Sequence, residues 1–140
     1  MKLKSLLTAV AALTVGASFA VADEDTPLAK EMSAFNKSLR TLKKQVSDPS
    51  KKADNLAIVG KMKSSVEASK KLEPAKTKDQ PAGDKAAYLD KYRAQLSDVE
   101  KTLDTLKAAI EKGDAAAAQE VFDKLSEQKE KGHKDFNPDE

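Results

Sequence analysis

The chain has 140 residues, with 25 Lys and Arg against 23 Asp and Glu, and it contains no Cys and no Trp. Its length is that of one domain, and without Cys the domain must be stabilised by a packed core or a bound ligand rather than by disulfides. The near balance of charge argues against a nucleic-acid-binding protein, which needs a basic face.

The first 22 residues have the features of a secretory signal peptide. Lys2 and Lys4 form a basic start, residues 6–15 are apolar, and the Ala-Val-Ala sequence at 20–22 supplies small residues for signal peptidase. We therefore expect cleavage after Ala22 and export to the periplasm.

The alternative to cleavage is a retained membrane anchor. Polar residues and a glycine interrupt the apolar run, which falls short of the roughly 20 strongly apolar residues that span a bilayer. We expect residues 1–22 to be removed and residues 23–140 to form a domain without membrane contact. Because residues 1–22 contain two lysines and no acid, the mature domain has 23 basic and 23 acidic side chains and a formal charge of zero.

The first amphipathic segment begins at Thr26, a good helix cap, followed by Pro27, whose missing N–H costs nothing at a first helical position. Apolar residues then recur in steps of four and three, as on one side of a helix. They are Leu28, Met32, Phe35, Leu39, Leu42 and Val46. Asp48-Pro49 ends the pattern, because a residue before proline disfavours the α conformation.

The second segment starts after a cap at Asp48 or Asp54 and ends at Glu73-Pro74. Its apolar face consists of Leu56, Val59, Met62, Val66 and Leu72. Residues 74–83 show no periodicity and predict the longest loop.

The third segment runs from about Asp84 to Lys112, and the fourth from about Ala115 to Phe136. Apolar residues recur at helical spacing in the third at Tyr88, Tyr92, Leu96, Val99, Leu103, Leu106 and Ile110. The residues on or near one face of the fourth are Ala118, Phe122, Leu125, His133 and Phe136. Between them, Gly113 suits a left-handed helix end and Asp114 a cap. With no strand-like alternation, the sequence predicts an all-α fold, an antiparallel up-down-up-down four-helix bundle.

His133 and Met32 form the candidate site. His133 is the only histidine and follows Phe122 by about three helical turns, so it is expected on the same inward face. Met32 lies one turn into the first helix, whose beginning adjoins the end of the fourth in such a bundle. An imidazole nitrogen and a thioether sulfur on opposite sides are a known axial pair for haem iron. This pair leaves the iron no open position for substrate and suits one-electron transfer.

Other interpretations of these two residues remain open. A Met on an apolar helix face is commonly a core residue, and a His near a helix end commonly complements the helix dipole. The alternative function is therefore a haem-free periplasmic interaction or chaperone-like bundle, in which His133 is frayed. A di-iron enzyme would need Glu-x-x-His motifs from two helices, which one histidine cannot supply. With no Cys, and no Ser placed beside His133, a hydrolytic triad is also excluded, and we expect no enzyme activity.

The mature chain resembles the cytochrome b562 family, periplasmic four-helix bundles that carry non-covalent haem b. The sequence Leu28-Ala-Lys-Glu-Met32, with the apolar residues after it, is similar to the family's first helix, and residues 113–133 are similar to its last turn and fourth helix without a gap. The resemblance implies one haem b per chain, with Met32 and His133 as axial ligands. It also implies an apolar pocket lined by Leu28, Phe35, Leu39, Pro74, Tyr92 and Leu96.

Three positions differ from the family pattern. Lys129 replaces an Arg one turn before the histidine and offers a propionate a point charge rather than a planar fork. Gly132 replaces an aromatic residue and costs about 1 kcal/mol of local helix stability. Tyr92 replaces a Phe, so its hydroxyl needs a partner. Because Cys is absent, the thioether attachment of the related c-type bundles is excluded. The implied function is electron transfer between haem and an unidentified periplasmic redox partner.

Overall fold

The computed structural model describes residues 26–137, in which it contains helices and no strand. The four α-helices are α1 (Pro27–Gln45), α2 (Lys52–Lys70), α3 (Lys85–Lys112) and α4 (Ala115–Phe136), and two 3₁₀ helices span Pro49–Lys51 and Ala75–Asp79. The predicted all-α fold class is confirmed. The predicted signal peptide, residues 1–22, lies outside the described residues, so its cleavage stays a prediction.

The predicted starts of α1 and α4 are confirmed by their caps. Thr26 Oγ1 accepts a hydrogen bond from the backbone N–H of Ala29 at 3.1 Å. Asp114 Oδ1 accepts one from the N–H of Ala117 at 3.0 Å. Gly113, with φ of 72°, ends α3 in the left-handed conformation that disfavours residues with a side chain. The turn between α3 and α4 is therefore short and specified by its own residues.

The boundaries of α2 differ from the prediction at both ends. Asp48 caps the 3₁₀ helix Pro49–Lys51 rather than α2 itself, which begins at Lys52. At its other end α2 stops at Lys70. Leu72, assigned to this helix by its spacing, therefore lies in the turn beyond it.

The predicted loop at residues 74–83 contains the 3₁₀ helix Ala75–Asp79. The N–H of Thr77 donates to the carbonyl of Pro74 at 3.0 Å, and the N–H of Gln80 donates to the carbonyl of Thr77 at 3.2 Å. Such a short element leaves no readable period in the sequence, because it completes fewer than two turns.

One apolar core receives side chains from all four α-helices. Its buried members are Phe35, Leu42, Val46, Val59, Met62, Val66, Val99, Leu103, Leu106, Ala109, Ile110, Ala118, Phe122 and Leu125. Fully burying a Leu or Met side chain contributes about 1.5–3 kcal/mol. The core therefore supplies the main force that holds the four helices together.

Each helix contacts the next one along the chain. Lys52 Nζ donates to the carbonyl of Glu111 at 2.7 Å, which joins the start of α2 to the last turn of α3. Lys70 forms an ion pair with Glu100 further along the same helix pair. Among the described helices, none has an apolar stretch long enough to cross a membrane.

The connection between α1 and α2 also contacts α4. Ser47 Oγ donates to Gln119 Oε1 at 3.1 Å, so the end of α1 lies beside the first turns of α4. Buried Asn55 is paired twice with Gln45: its Nδ2 donates to the Gln45 carbonyl, and its Oδ1 accepts from Gln45 Nε2, both at 2.9 Å. We refer to this region, residues 45–55 and 110–119, as the turn end.

Candidate functional site

Met32 lies in the second turn of α1, where its side chain is half-buried. Phe35, one turn further along, is 5% exposed and belongs to the core. Met62, on α2, is fully buried within the same core. Of the two described methionines, only Met32 is accessible to a ligand that enters from the surface.

His133 lies within α4, three residues before its end, and is half-buried. Its carbonyl accepts a hydrogen bond from the N–H of Asn137 at 2.8 Å. The helix therefore continues past Gly132 and His133 to Phe136. The regular backbone gives the imidazole a defined direction on the helix surface.

The predicted apolar lining is buried to different degrees. Phe35, Pro74 and Tyr92 are buried, Leu28 is half-buried, and Lys129 is exposed. Leu39 and Leu96 are half-buried and pack against the same core that contains Phe35. The structure thus brings Phe35, Leu39 and Leu96 together around one core.

The hydroxyl of Tyr92 has the partner that its position required. Tyr92 is 5% exposed, and its Oη donates to the carbonyl of Ser69 on α2 at 2.8 Å. Burial raises the pKa of Tyr92, so the phenol stays protonated at neutral pH. Tyr92 therefore places an apolar ring in the core while its hydroxyl joins α3 to α2.

Three aromatic rings meet where α3 begins and α4 ends, and we refer to Tyr88, Tyr92 and Phe136 as the aromatic cluster. Phe136 packs edge-to-face against Tyr88, with ring centroids 5.2 Å apart, and against Tyr92, at 5.3 Å. Lys91 Nζ lies 6.0 Å from the Phe136 centroid, within reach of a cation–π interaction. The sequence placed Phe136 only on the apolar face of α4. Its spacing of one turn from His133 is the signal that relates it to the site.

Asp135 ties the last turn of α4 to α3. Its Oδ2 accepts hydrogen bonds from Lys131 Nζ at 2.7 Å and from Gln95 Nε2 at 2.5 Å, and Lys91 Nζ lies 3.5 Å away. The hydrogen bond from Lys131, followed by that from Gln95, lowers the pKa of Asp135 to about 2. Sequence reasoning missed this group. The spacing of four residues from Lys131 to Asp135 was visible, but the contact with Gln95 depends on tertiary packing.

Three buried polar atoms have no hydrogen-bond partner within the part of the chain that the structure describes. They are Thr77 Oγ1, Tyr88 Oη and Gln128 Oε1. Such groups are uncommon in folded proteins, because burying an unpaired polar atom forfeits its bonds to water. Tyr88 is the one of the three that belongs to the aromatic cluster.

The donor atoms of Met32 and His133 suit haem better than a bare metal ion. Within residues 26–137, no three His, Cys, Asp or Glu side chains gather into a group that could hold a metal ion. Haem iron needs no such group, because the macrocycle provides four nitrogen ligands and the protein only the axial ones. A soft thioether, an imidazole and neighbouring apolar side chains fit that requirement.

Comparison with known proteins gives the family directly. The chain matches the family model described as Cytochrome b562 over residues 8–137, which is nearly the whole chain. No curated protein and no solved structure gives a significant match. The family consists of haem-binding electron carriers that are generally not enzymes. Because the match covers nearly its whole length, the chain belongs to the cytochrome b562 family.

Proposed function

We propose that this protein is a periplasmic electron carrier that binds one non-covalent haem b, with Met32 and His133 as its axial ligands. Under this proposal residues 1–22 are a cleaved signal peptide and residues 23–140 form an antiparallel up-down-up-down bundle. The observation that carries the proposal is the cytochrome b562 family match over residues 8–137.

The lengths of α1 and α4 support a common position for the two ligands. The contact between Ser47 and Gln119 provides a shared starting level for both helices. Met32 lies 15 residues before Ser47, and His133 lies 14 residues after Gln119. At a rise of about 1.5 Å per residue, these separations are about 22 Å and about 21 Å. Because both helices contribute to one core, the two side chains are expected at the same level of the bundle.

The neighbouring residues support the same assignment. Phe35, Leu39 and Leu96 provide apolar surface around the shared core, as a macrocycle requires. Lys129 is exposed on α4, one turn before His133, where its ammonium group can meet a propionate without losing its hydration. The absence of Cys excludes thioether links and leaves axial ligation and apolar packing to hold the group.

Each residue has a definite part in this function. Bound haem supplies a one-electron couple between ferric and ferrous iron. The Met32 thioether is a soft ligand that favours the ferrous state and so raises the reduction potential. With Met32 and His133 both holding the iron, no position on it would remain for substrate. The apolar lining excludes water, which also limits exposure of the charge on the iron.

The proposal is tested by adding haem to residues 23–140 and recording the visible spectrum with and without dithionite. We expect sharp low-spin ferrous bands that are lost in Met32→Ala and in His133→Ala. Each variant removes one axial ligand while leaving the core of the bundle in place.

Met62→Leu is the matched control, because Met62 is fully buried on α2 and the change nearly conserves volume. Its spectrum should equal that of the unchanged protein. A spectrum like that of free haem for the unchanged protein would reject the electron-carrier proposal and favour the haem-free interaction or chaperone-like bundle.

A further inference from the structure

The hydroxyl of Tyr88 is a hydrogen-bond donor that has no acceptor among the described residues. Tyr88 Oη is buried, and within residues 26–137 it has no hydrogen-bond partner. Because native proteins leave few buried polar groups unpaired, a buried donor of this kind indicates a missing acceptor.

Tyr88 lies next to the proposed haem site. Its ring packs at 70° against Phe136, which follows His133 by one turn of α4. The same Phe136 ring contacts Tyr92, one of the residues expected to line the haem pocket. The unpaired hydroxyl is thus carried by a ring that shares a neighbour with the pocket.

The two tyrosines of the aromatic cluster differ in the state of their hydroxyl groups. Tyr92 Oη already donates to the carbonyl of Ser69 at 2.8 Å, whereas Tyr88 Oη donates to no described residue. Burial, and then the negative charge of Asp79, raise the pKa of Tyr88. Its phenol therefore remains protonated at neutral pH and is available as a donor.

The surroundings of the aromatic cluster contain a positive charge that can accompany an anionic acceptor. Lys91 Nζ lies 6.0 Å from the centroid of Phe136, the ring that Tyr88 contacts. It also lies 3.5 Å from the carboxylate of Asp135, but that carboxylate accepts a hydrogen bond from Lys131 as well, so the two lysines together exceed its charge. Haem presents two propionate carboxylates at one edge, and a hydroxyl that donates to a carboxylate forms a short, charge-assisted hydrogen bond. Within the protein, the carboxylate of Asp79, whose negative charge acts on Tyr88, is the group that would compete with a propionate for this hydrogen bond.

We propose that the Tyr88 hydroxyl donates a hydrogen bond to a haem propionate, which makes Tyr88 a binding residue for the edge of the macrocycle. The inference rests on the proposed function, because it requires that haem binds. It adds a polar anchor from α3 to the axial ligands on α1 and α4.

Tyr88→Phe tests the proposal, because it removes the hydroxyl and keeps the ring that packs on Phe136. Haem is titrated into residues 23–140, and the unfolding of the haem-free protein is measured separately. We expect the Kd for haem to rise about tenfold in Tyr88→Phe, the loss of one hydrogen bond to a charged acceptor. The haem-free variant should unfold at the same or a higher denaturant concentration, because it loses an unpaired polar atom and no hydrogen bond.

Two controls separate this role from a structural one. Thr77→Val removes another buried, unpaired hydroxyl, one outside the aromatic cluster, and should leave the Kd for haem unchanged. Haem dimethyl ester lacks the propionate charges, so the difference between Tyr88→Phe and the unchanged protein should fall below about threefold with this ligand.

Equal haem affinity in Tyr88→Phe and the unchanged protein would overturn this inference while leaving the proposed function intact. A tenfold loss that persists with the dimethyl ester would also overturn it, since the propionate would not be the acceptor. Lower stability of haem-free Tyr88→Phe would assign the hydroxyl to the fold instead. Absence of haem binding by the unchanged protein would overturn both proposals.

Discussion

The turn end and the aromatic cluster mark opposite ends of α3 and α4, and they differ in how completely their polar groups are paired. At the turn end, buried Asn55 is bonded twice to Gln45, and Ser47 donates to Gln119. In the aromatic cluster, Tyr88 carries a buried hydroxyl without a partner among the described residues. The polar groups at the turn end are thus paired by the protein itself, whereas the aromatic cluster carries a hydroxyl that a ligand could pair.

The largest difference is expected between two leucines three residues apart on α1. Leu42 is fully buried, so Leu42→Ala should lower the free energy of unfolding by about 3 kcal/mol through lost burial and a residual cavity. Leu39 is half-buried and is proposed to line the haem pocket. Leu39→Ala should cost the haem-free protein only about 1 kcal/mol, because part of its side chain is already in water.

Urea unfolding of the haem-free variants measures both leucine effects, and haem titration gives the second half of the comparison. Leu39→Ala should weaken haem binding more than Leu42→Ala does. If the two substitutions lowered the stability of the haem-free protein equally, Leu39 would be an ordinary core residue like Leu42 and not part of a surface that faces a ligand.

The next prediction compares two glycines, Gly113 in the turn before α4 and Gly132 in the last turns of α4. Gly113 has φ of 72°, so Gly113→Ala should destabilise the protein by about 1–2 kcal/mol although no atom obstructs the added methyl group. Gly132 is inside the helix, and a Cβ there would lie 3.6 Å from Gln95 Oε1, an ordinary contact. Gly132→Ala should therefore stabilise the protein by about 0.5–1 kcal/mol. Thermal unfolding measures both, and a destabilised Gly132→Ala variant would contradict the prediction.

The smallest effect is expected at Asp135, whose pKa of about 2 lies below its ordinary value of 3.8. Since folding favours the ionised carboxylate, its stabilisation is present above the ordinary pKa and is lost as the pH falls towards 2. Asp135→Asn should lower the free energy of unfolding by less than about 1 kcal/mol at neutral pH, because the ion pairs are close to solvent. The difference from the unchanged protein should shrink between about pH 4 and about pH 2. If the stability difference between Asp135→Asn and the unchanged protein did not depend on pH, the ionised carboxylate of Asp135 would not be its cause.

The sequence was informative where structure depends on neighbouring residues. Thr26, Gly113 and Asp114 specify their helix ends through caps and backbone conformation, so α1, the last turn of α3 and α4 could be predicted closely. The 3₁₀ helix Ala75–Asp79 was missed, because fewer than two turns leave no hydrophobic period. The end of α2 was placed too late for a different reason: Leu72 was assigned to the helix by its spacing, although it lies beyond the last helical residue, Lys70.

The candidate site was harder to predict, because it depends on residues distant in the sequence. Position in the predicted helices and the family resemblance made Met32 and His133 the candidate ligands, but the contact of Phe136 with Tyr88 follows from how α3 and α4 pack. Sequence periodicity places both rings on inward faces without showing that they meet. Whether the Tyr88 hydroxyl finds a partner depends on which residues pack around it in three dimensions, and no local sequence pattern predicts that it has none among the described residues.

The central claim, that Met32 and not Met62 is an axial ligand, is tested most directly by the two methionine methyl signals in the NMR spectrum of residues 23–140. A methyl group held over the face of the macrocycle experiences its ring current, which shifts the signal strongly upfield. With methyl-labelled methionine, haem and dithionite, we expect the Met32 signal to shift far upfield and the signal of buried Met62 to stay near its haem-free position. A Met32 signal that does not shift on haem binding would contradict the account.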